Sequence, residues 1–152
     1  MTLLDIMRSA SVIPVIAIDD PDQALRIVRL VRRRAPHVRI IARARDRHAV
    51  YRMTAAGADV CVREIFDSAV RAGGHALAAL GHDAREVEGL LRAFAAEDTA
   101  MIEELAGLWR PDLPAAENAA FVRREREQLA AIEAKLRRPA DPEPVAPGPP
   151  AH

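Results

Sequence analysis

The sequence predicts an α/β fold: three parallel strands with flanking helices, followed by long C-terminal helices. Short apolar runs at Val12–Ile18, Val38–Ala42 and Val60–Val62 follow one another about twenty residues apart, and each gap holds a segment of helical periodicity. The helical segments open on acids and close at proline or glycine, which are the start and stop signals of short helices. Strands that alternate with helices form βαβ units, whose right-handed crossovers make the strands parallel.

The first strand, Val12-Ile13-Pro14-Val15-Ile16-Ala17-Ile18, is continuously apolar, the mark of a strand covered on both faces. Pro14 removes one ladder donor, so pairing near its beginning is expected to be imperfect. Asp19-Asp20-Pro21 then supplies an aspartate cap and a proline at the first helical position. Ala24, Ile27, Val28 and Val31 recur at helical spacing, Arg32-Arg33-Arg34 suits the negative end of the macrodipole, and Pro36 enforces the stop. The second strand turns charged at Arg43-Ala44-Arg45-Asp46. Asp46 can cap a helix carrying Ala49, Val50, Met53 and Thr54, and Gly57 supplies its left-handed end.

After Val60-Cys61-Val62, Asp67 opens a helix with Val70, Leu77 and Leu80 expected inward. The pair Gly73-Gly74 within it suggests a close approach of another backbone, or a bend. Asp83 and Glu86 form a capping-box-like start to a helix running through Leu90, Leu91, Phe94, Met101, Ile102 and Leu105. A last helix, Ala115 to Arg137, sets Phe121, Val122, Leu129, Ile132 and Leu136 among many charges. Met1 to Ser11 reads as a short amphipathic helix. Residues 139–152 hold six of the eleven prolines and read as a disordered tail. The expected organisation is a sheet domain over residues 1–82, a long helix over 83–110, a charged helix over 111–138, and that tail.

Half of the 152 residues are hydrophobic and 3% aromatic, which favours closely packed helices over an aromatic-rich sandwich. A single cysteine excludes an internal disulfide framework. No apolar stretch approaches the roughly 20 residues that span a bilayer, and the N-terminus lacks the pattern of a secretory signal, so the expected location is the cytoplasm. The net charge is zero but uneven, with eleven arginines against two aspartates from Arg26 to Arg63 and an acidic excess from Glu64 to Glu104. Such halves attract nucleic acid, an anionic ligand, or each other across a dimer.

No catalytic constellation is legible. The histidines at 37, 48, 75, 82 and 152 lack metal-ligand spacing, Cys61 reads as a buried inert thiol, and no G-x-G-x-x-G, Walker A or G-x-S-x-G motif occurs. Neither an enzyme nor a metal site is expected. Asp19 and Asp20 read as capping residues before acid–base groups. Arg43, Arg45 and Arg47 lack interleaved aromatics for stacking on single-stranded bases. An anionic small ligand fits better, because Arg43, Arg45 and Arg63 fall near strand carboxyl ends, where open parallel sheets bind ligands. Ion pairs with the acidic half are the alternative for each arginine.

Taken together, IAIDDPDQAL, IIARARD, VREIFDSA and FAAEDTAMIEEL resemble the RCK (TrkA-N type) regulatory domain of Kef-type glutathione-regulated potassium efflux antiporters, over roughly Met1 to Leu105. The resemblance implies a partial Rossmann-like fold, the C-terminal half of the complete domain, and so a fragment of a longer protein. It implies a homodimer that senses glutathione or glutathione conjugates and controls potassium efflux through a membrane antiporter partner, without itself transporting. Its expected site is cytoplasmic, at the inner face of the membrane. The family's ligand-contacting positions fall on Asp46, Arg63 and Asp98, with Arg43 and Arg45 as possible support. Arg63 would clamp a carboxylate, and Asp46 would receive an ammonium or amide donor. Ala95 and Ala96 stand where the family tends toward arginines. The family's adenine nucleotide is held by a glycine-rich half absent from this chain, so no cofactor is expected in it. The alternatives are a small helix-mediated dimerisation protein with no ligand and, less favoured, a basic nucleic-acid binder.

Overall fold

The structure is a computed structural model in which residues 12–137 are described. The helix expected at Met1–Ser11 and the proline-rich tail lie outside them. The elements run β1 (Val15–Ile16), α1 (Pro21–Arg34), β2 (Ile41–Ala44), α2 (Arg47–Ala56), β3 (Val60–Arg63), α3 (Phe66–Ala79), α4 (Ala84–Leu108), a 3₁₀ turn (Ala115–Glu117) and α5 (Ala119–Arg137). The strands form one parallel sheet in the order β1-β2-β3, with Ile16, Ala42 and Cys61 in register and Ala44 opposite Arg63.

The first strand is shorter than its apolar run. Beyond its two residues, one bond from the Ile41 amide to the Pro14 carbonyl (3.0 Å) continues the pairing. The second strand starts later than Val38 and includes Arg43 and Ala44. Its earlier residues are held at a junction: the Asp59 carboxylate accepts the Ile40 amide (2.7 Å) and an Arg32 guanidinium N–H (2.6 Å). Arg32 also donates to the carbonyls of Gly57, Pro36 and Val38, tying the end of α1 to the end of α2. Gly57 fits because its φ of +107° suits glycine and because an added Cβ would meet the Arg32 Cγ at 2.8 Å.

Continuous apolarity in the first strand predicts cover on both faces, and the structure corrects this. Both crossovers step across the sheet in the same direction, so right-handedness places α1 and α2 on one face. Ile16, Ala42 and the partly buried Cys61 pack there with Ala24, Leu25, Val28, Val31 and Met53. On the other face Val15 is 66% exposed and Val62 46% exposed. Alternation in burial along β2, with Ala42 and Ala44 buried and Ile41 and Arg43 half-buried, reports the same one-sided cover.

Helices α3 and α5 also depart from expectation. No side chain caps α3 at its Ile65 start, Asp67 lies within its first turn, and Leu80 is exposed just beyond its end. The inward contact of α3 is instead the buried Gly74, where an added Cβ would lie 2.7 Å from Leu91 on α4. Leu90 and Phe94 on α4 are exposed, whereas Val87, Asp98 and Leu105 are buried. The expected single helix from Ala115 is divided: the Asn118 amide donates to the Leu108 carbonyl (2.7 Å), its side-chain oxygen accepts the Phe121 N–H (3.3 Å), and α5 starts there. Leu129 is exposed, while Phe121 is fully buried with Tyr51 and Leu105 in a second core.

The junction generates a pH test. The Ile40 amide, then Arg32, holds the Asp59 carboxyl below its ordinary value. A depressed native value gives stability that is present above the unfolded value, about 4, and is lost as pH falls through the native one. Asp59→Asn should therefore be less stable than wild type in urea at pH 7, with the gap shrinking below about pH 4. A gap unchanged at pH 3 contradicts the assignment.

Candidate functional site

Strand β3 delivers Arg63 from the face it shares with Cys61, and this face opens into a cleft of about 720 Å³. Val60, Cys61, Arg63 and Phe66 line one side, and Ala95, Asp98, Thr99 and Ile102 of α4 line the other. The capping Asp83 accepts the amides of Arg85 and Glu86 and fixes the start of α4; Leu105, packed on Tyr51 and Phe121, fixes its far end. Asp98 is thereby carried in over the end of β3.

Asp98 is 3% exposed. Its Oδ1 accepts a hydrogen bond from the Arg47 guanidinium at 2.5 Å, and its Oδ2 accepts one from Arg63. Isolated, a carboxylate so buried would be expensive; two charge-assisted hydrogen bonds compensate it. The cluster carries one positive charge in excess, two guanidiniums against one carboxylate. The Arg63 guanidinium also lies 3.7 Å above the Phe66 ring, which stacks on Phe94 at 6.1 Å. Behind it, α3 begins at Phe66 with no side-chain cap, so its first amides add positive potential at the cleft mouth.

The structure brings two of the expected site residues together, Arg63 and Asp98. Asp46 serves as the cap of α2, accepting the Ala49 N–H at 2.7 Å, and does not line the cleft. Arg43 pairs with Asp19 and stands opposite Val62 in the register, whereas Arg63 stands opposite Ala44. The two arginines thus rise from opposite faces. With Arg45, which makes no ion pair among the described residues, Arg43 lines a separate cavity of about 260 Å³ that also includes Asp19 and Glu64. Asp20 caps α1, accepting the amides of Asp22 and Gln23.

Sequence reasoning missed Arg47 as part of the cluster, along with the aromatic pair Phe66 and Phe94. Arg47 has a signal in hindsight: it precedes Tyr51 by one helical turn, so both face α4. Cys61 also lines the cleft, 3.8 Å from the Thr54 hydroxyl, and burial pushes its thiol up, away from the thiolate. Among the described residues no group of three or more His, Cys, Asp or Glu is placed to hold a metal ion, and no helix is long and apolar enough to cross a membrane.

Known proteins share this arrangement of sequence and fold. Residues 2–64 match the TrkA-N domain family, and residues 68–143 match the family described as the potassium efflux system KefB C-terminal domain. The glutathione-regulated potassium-efflux system protein KefC of Salmonella arizonae is 41% identical over 112 residues, covering 69% of this chain and 18% of that protein. Its counterpart in Salmonella paratyphi B is 40% identical over the same length. The chain thus spans 18% of the length of these curated relatives. Among solved structures, the Shewanella denitrificans Kef CTD in AMP-bound form superposes with a TM-score of 0.61 at 43% identity, covering 64% of this chain and 62% of that one. With a KefB C-terminal match over half its length, a TrkA-N match ahead of it and a partial Rossmann-like α/β fold, the chain belongs to the family of the potassium efflux system KefB C-terminal domain.

Proposed function

We propose that this chain is the ligand-sensing regulatory part of a glutathione-gated potassium/proton antiporter, controlling potassium efflux without itself transporting. The observation that carries the reading is the Arg47–Asp98–Arg63 cluster in the cleft at the end of β3. Its excess positive charge and the uncapped start of α3 favour a small anion, and Arg63 is oriented by Phe66 to grip a carboxylate. Glutathione carries two carboxylates and one ammonium. Asp46, whose second carboxylate oxygen makes no bond among the described residues, offers an acceptor for the ammonium. Arg43 and Arg45 would act from their own cavity, as support at the strand ends.

The same reading makes the chain a cytoplasmic module at the inner membrane face, through a transporter partner, and not an enzyme. The AMP of the Shewanella relative raises the question of a nucleotide. The chain's strand-to-helix turns are Asp19-Asp20, Arg45-Asp46 and Glu64-Ile65, none glycine-rich, and the first two helix starts are already taken by carboxylate caps. The carboxylate caps at α1 and α2 take helix-start amides that a phosphate would use, and we assign no nucleotide to this chain. A homodimer completes the proposal, supported by exposed Ile65, Leu80, Leu90 and Phe94 on and beside α3 and α4. Without a ligand, that apolar row alone would make the chain a helix-mediated interaction protein.

Two measurements test these points. Titration calorimetry with glutathione should show affinity reduced about tenfold or more by Arg63→Ala, the loss expected for one charge-assisted contact; equal affinities contradict the site. Light scattering should give about twice the chain mass of 16.6 kDa, reverting to the monomer in Leu90→Glu. A wild-type monomer contradicts the dimer.

A further inference from the structure

Asp98 is the buried acid among the described residues, and both of its oxygens are engaged. Its side chain is 4% exposed, against 15% for Arg63 and 40% for Arg47. A ligand entering the cleft therefore meets the guanidiniums before it meets the carboxylate. The carboxylate sits where an incoming one would sit, gripped by the guanidinium that would grip the ligand.

We infer that Asp98 is a tethered competitor, which occupies Arg63 and Arg47 in the unliganded chain and is displaced from Arg63 by the carboxylate of a small ligand. This rests on the reading of the cleft as the ligand site. Arg63 is free for a ligand only in the fraction of molecules where Asp98 has let go, and apparent affinity falls by that fraction. Asp98 thus sets specificity: a ligand must bring a carboxylate able to replace it, and further contacts to offset the replacement. Displacement also has a mechanical consequence. Asp98 lies mid-helix in α4, one turn before Ile102 and two before Leu105, so its release loosens α4 from β3 and α2 while the aromatic core holds the far end. Ligand binding and the position of α4 are then linked, and α4 is the helix on which α3 packs.

The test uses the chain as it is. Asp98→Asn keeps the shape and removes the competing charge. Its titration with succinate, a minimal dicarboxylate, and with glutathione should show binding about tenfold or more tighter than wild type. Adding Arg63→Ala should abolish the gain. Equal or weaker binding of succinate by Asp98→Asn overturns the inference and makes Asp98 a structural tie or a direct ligand contact. Tighter succinate binding with no glutathione binding by any variant upholds the competitor and removes the glutathione reading. Should Asp98→Asn fail to fold, Arg47→Gln leaves Arg63 alone against Asp98, and succinate should bind about tenfold more weakly; unchanged binding overturns the inference.

Discussion

A single buried carboxylate sets the position of everything around the cleft. Asp98 joins three elements through Arg47 at the start of α2, Arg63 at the end of β3 and its own place in α4. Without it, two guanidiniums would face each other in a partly buried space; without them, a carboxylate would be stranded. A buried ion cluster contributes little net stability, because desolvation nearly cancels attraction. Stabilisation of α4 comes instead from Leu105, Tyr51 and Phe121, where each fully buried apolar side chain contributes about 1.5–3 kcal/mol. Apolar burial holds the helix down, and the ion cluster fixes its register. Removing one partner of the cluster is costly because the remainder is left uncompensated.

Much of the fold was legible. Caps and stops depend on local chemistry, so Asp20, Asp46 and Asp83 start their helices and Gly57 ends α2 as read. Leu80 was expected inward and lies exposed, and Leu90 and Leu129 are exposed along their helices as well. Helical spacing shows which residues share a face; it does not show whether anything lies against that face. The start of β2 was misplaced for a similar reason. Apolar residues at Val38 and Ile40 pack in the core, but the Arg32–Asp59 junction takes the Ile40 amide that a ladder would use.

The site was half legible. Arg63 and Asp98 came through resemblance, and the structure places them in contact. Their pairing spans thirty-five positions, a separation at which no periodicity operates. Arg43 and Arg45 look adjacent to Arg63 when all are counted as strand-end arginines. Parity separates them, since side chains alternate across a strand. Phe94 was read only as a residue along the long helix, yet it is 56% exposed and stacks on Phe66, whose ring lies under the Arg63 guanidinium.

The one-sided sheet and the ion cluster are complementary features. Helices α1 and α2 bury the core face, and α4 closes over its end at Cys61 and Arg63. The central claim is that Arg63 and Asp98 form one built unit and not two neighbouring residues. A double-mutant cycle in urea tests it most directly, comparing Arg63→Ala, Asp98→Ala and the double variant. The account predicts a coupling energy above about 1 kcal/mol, within the range for residues in one charged network. Losses that add within about 0.3 kcal/mol would contradict it.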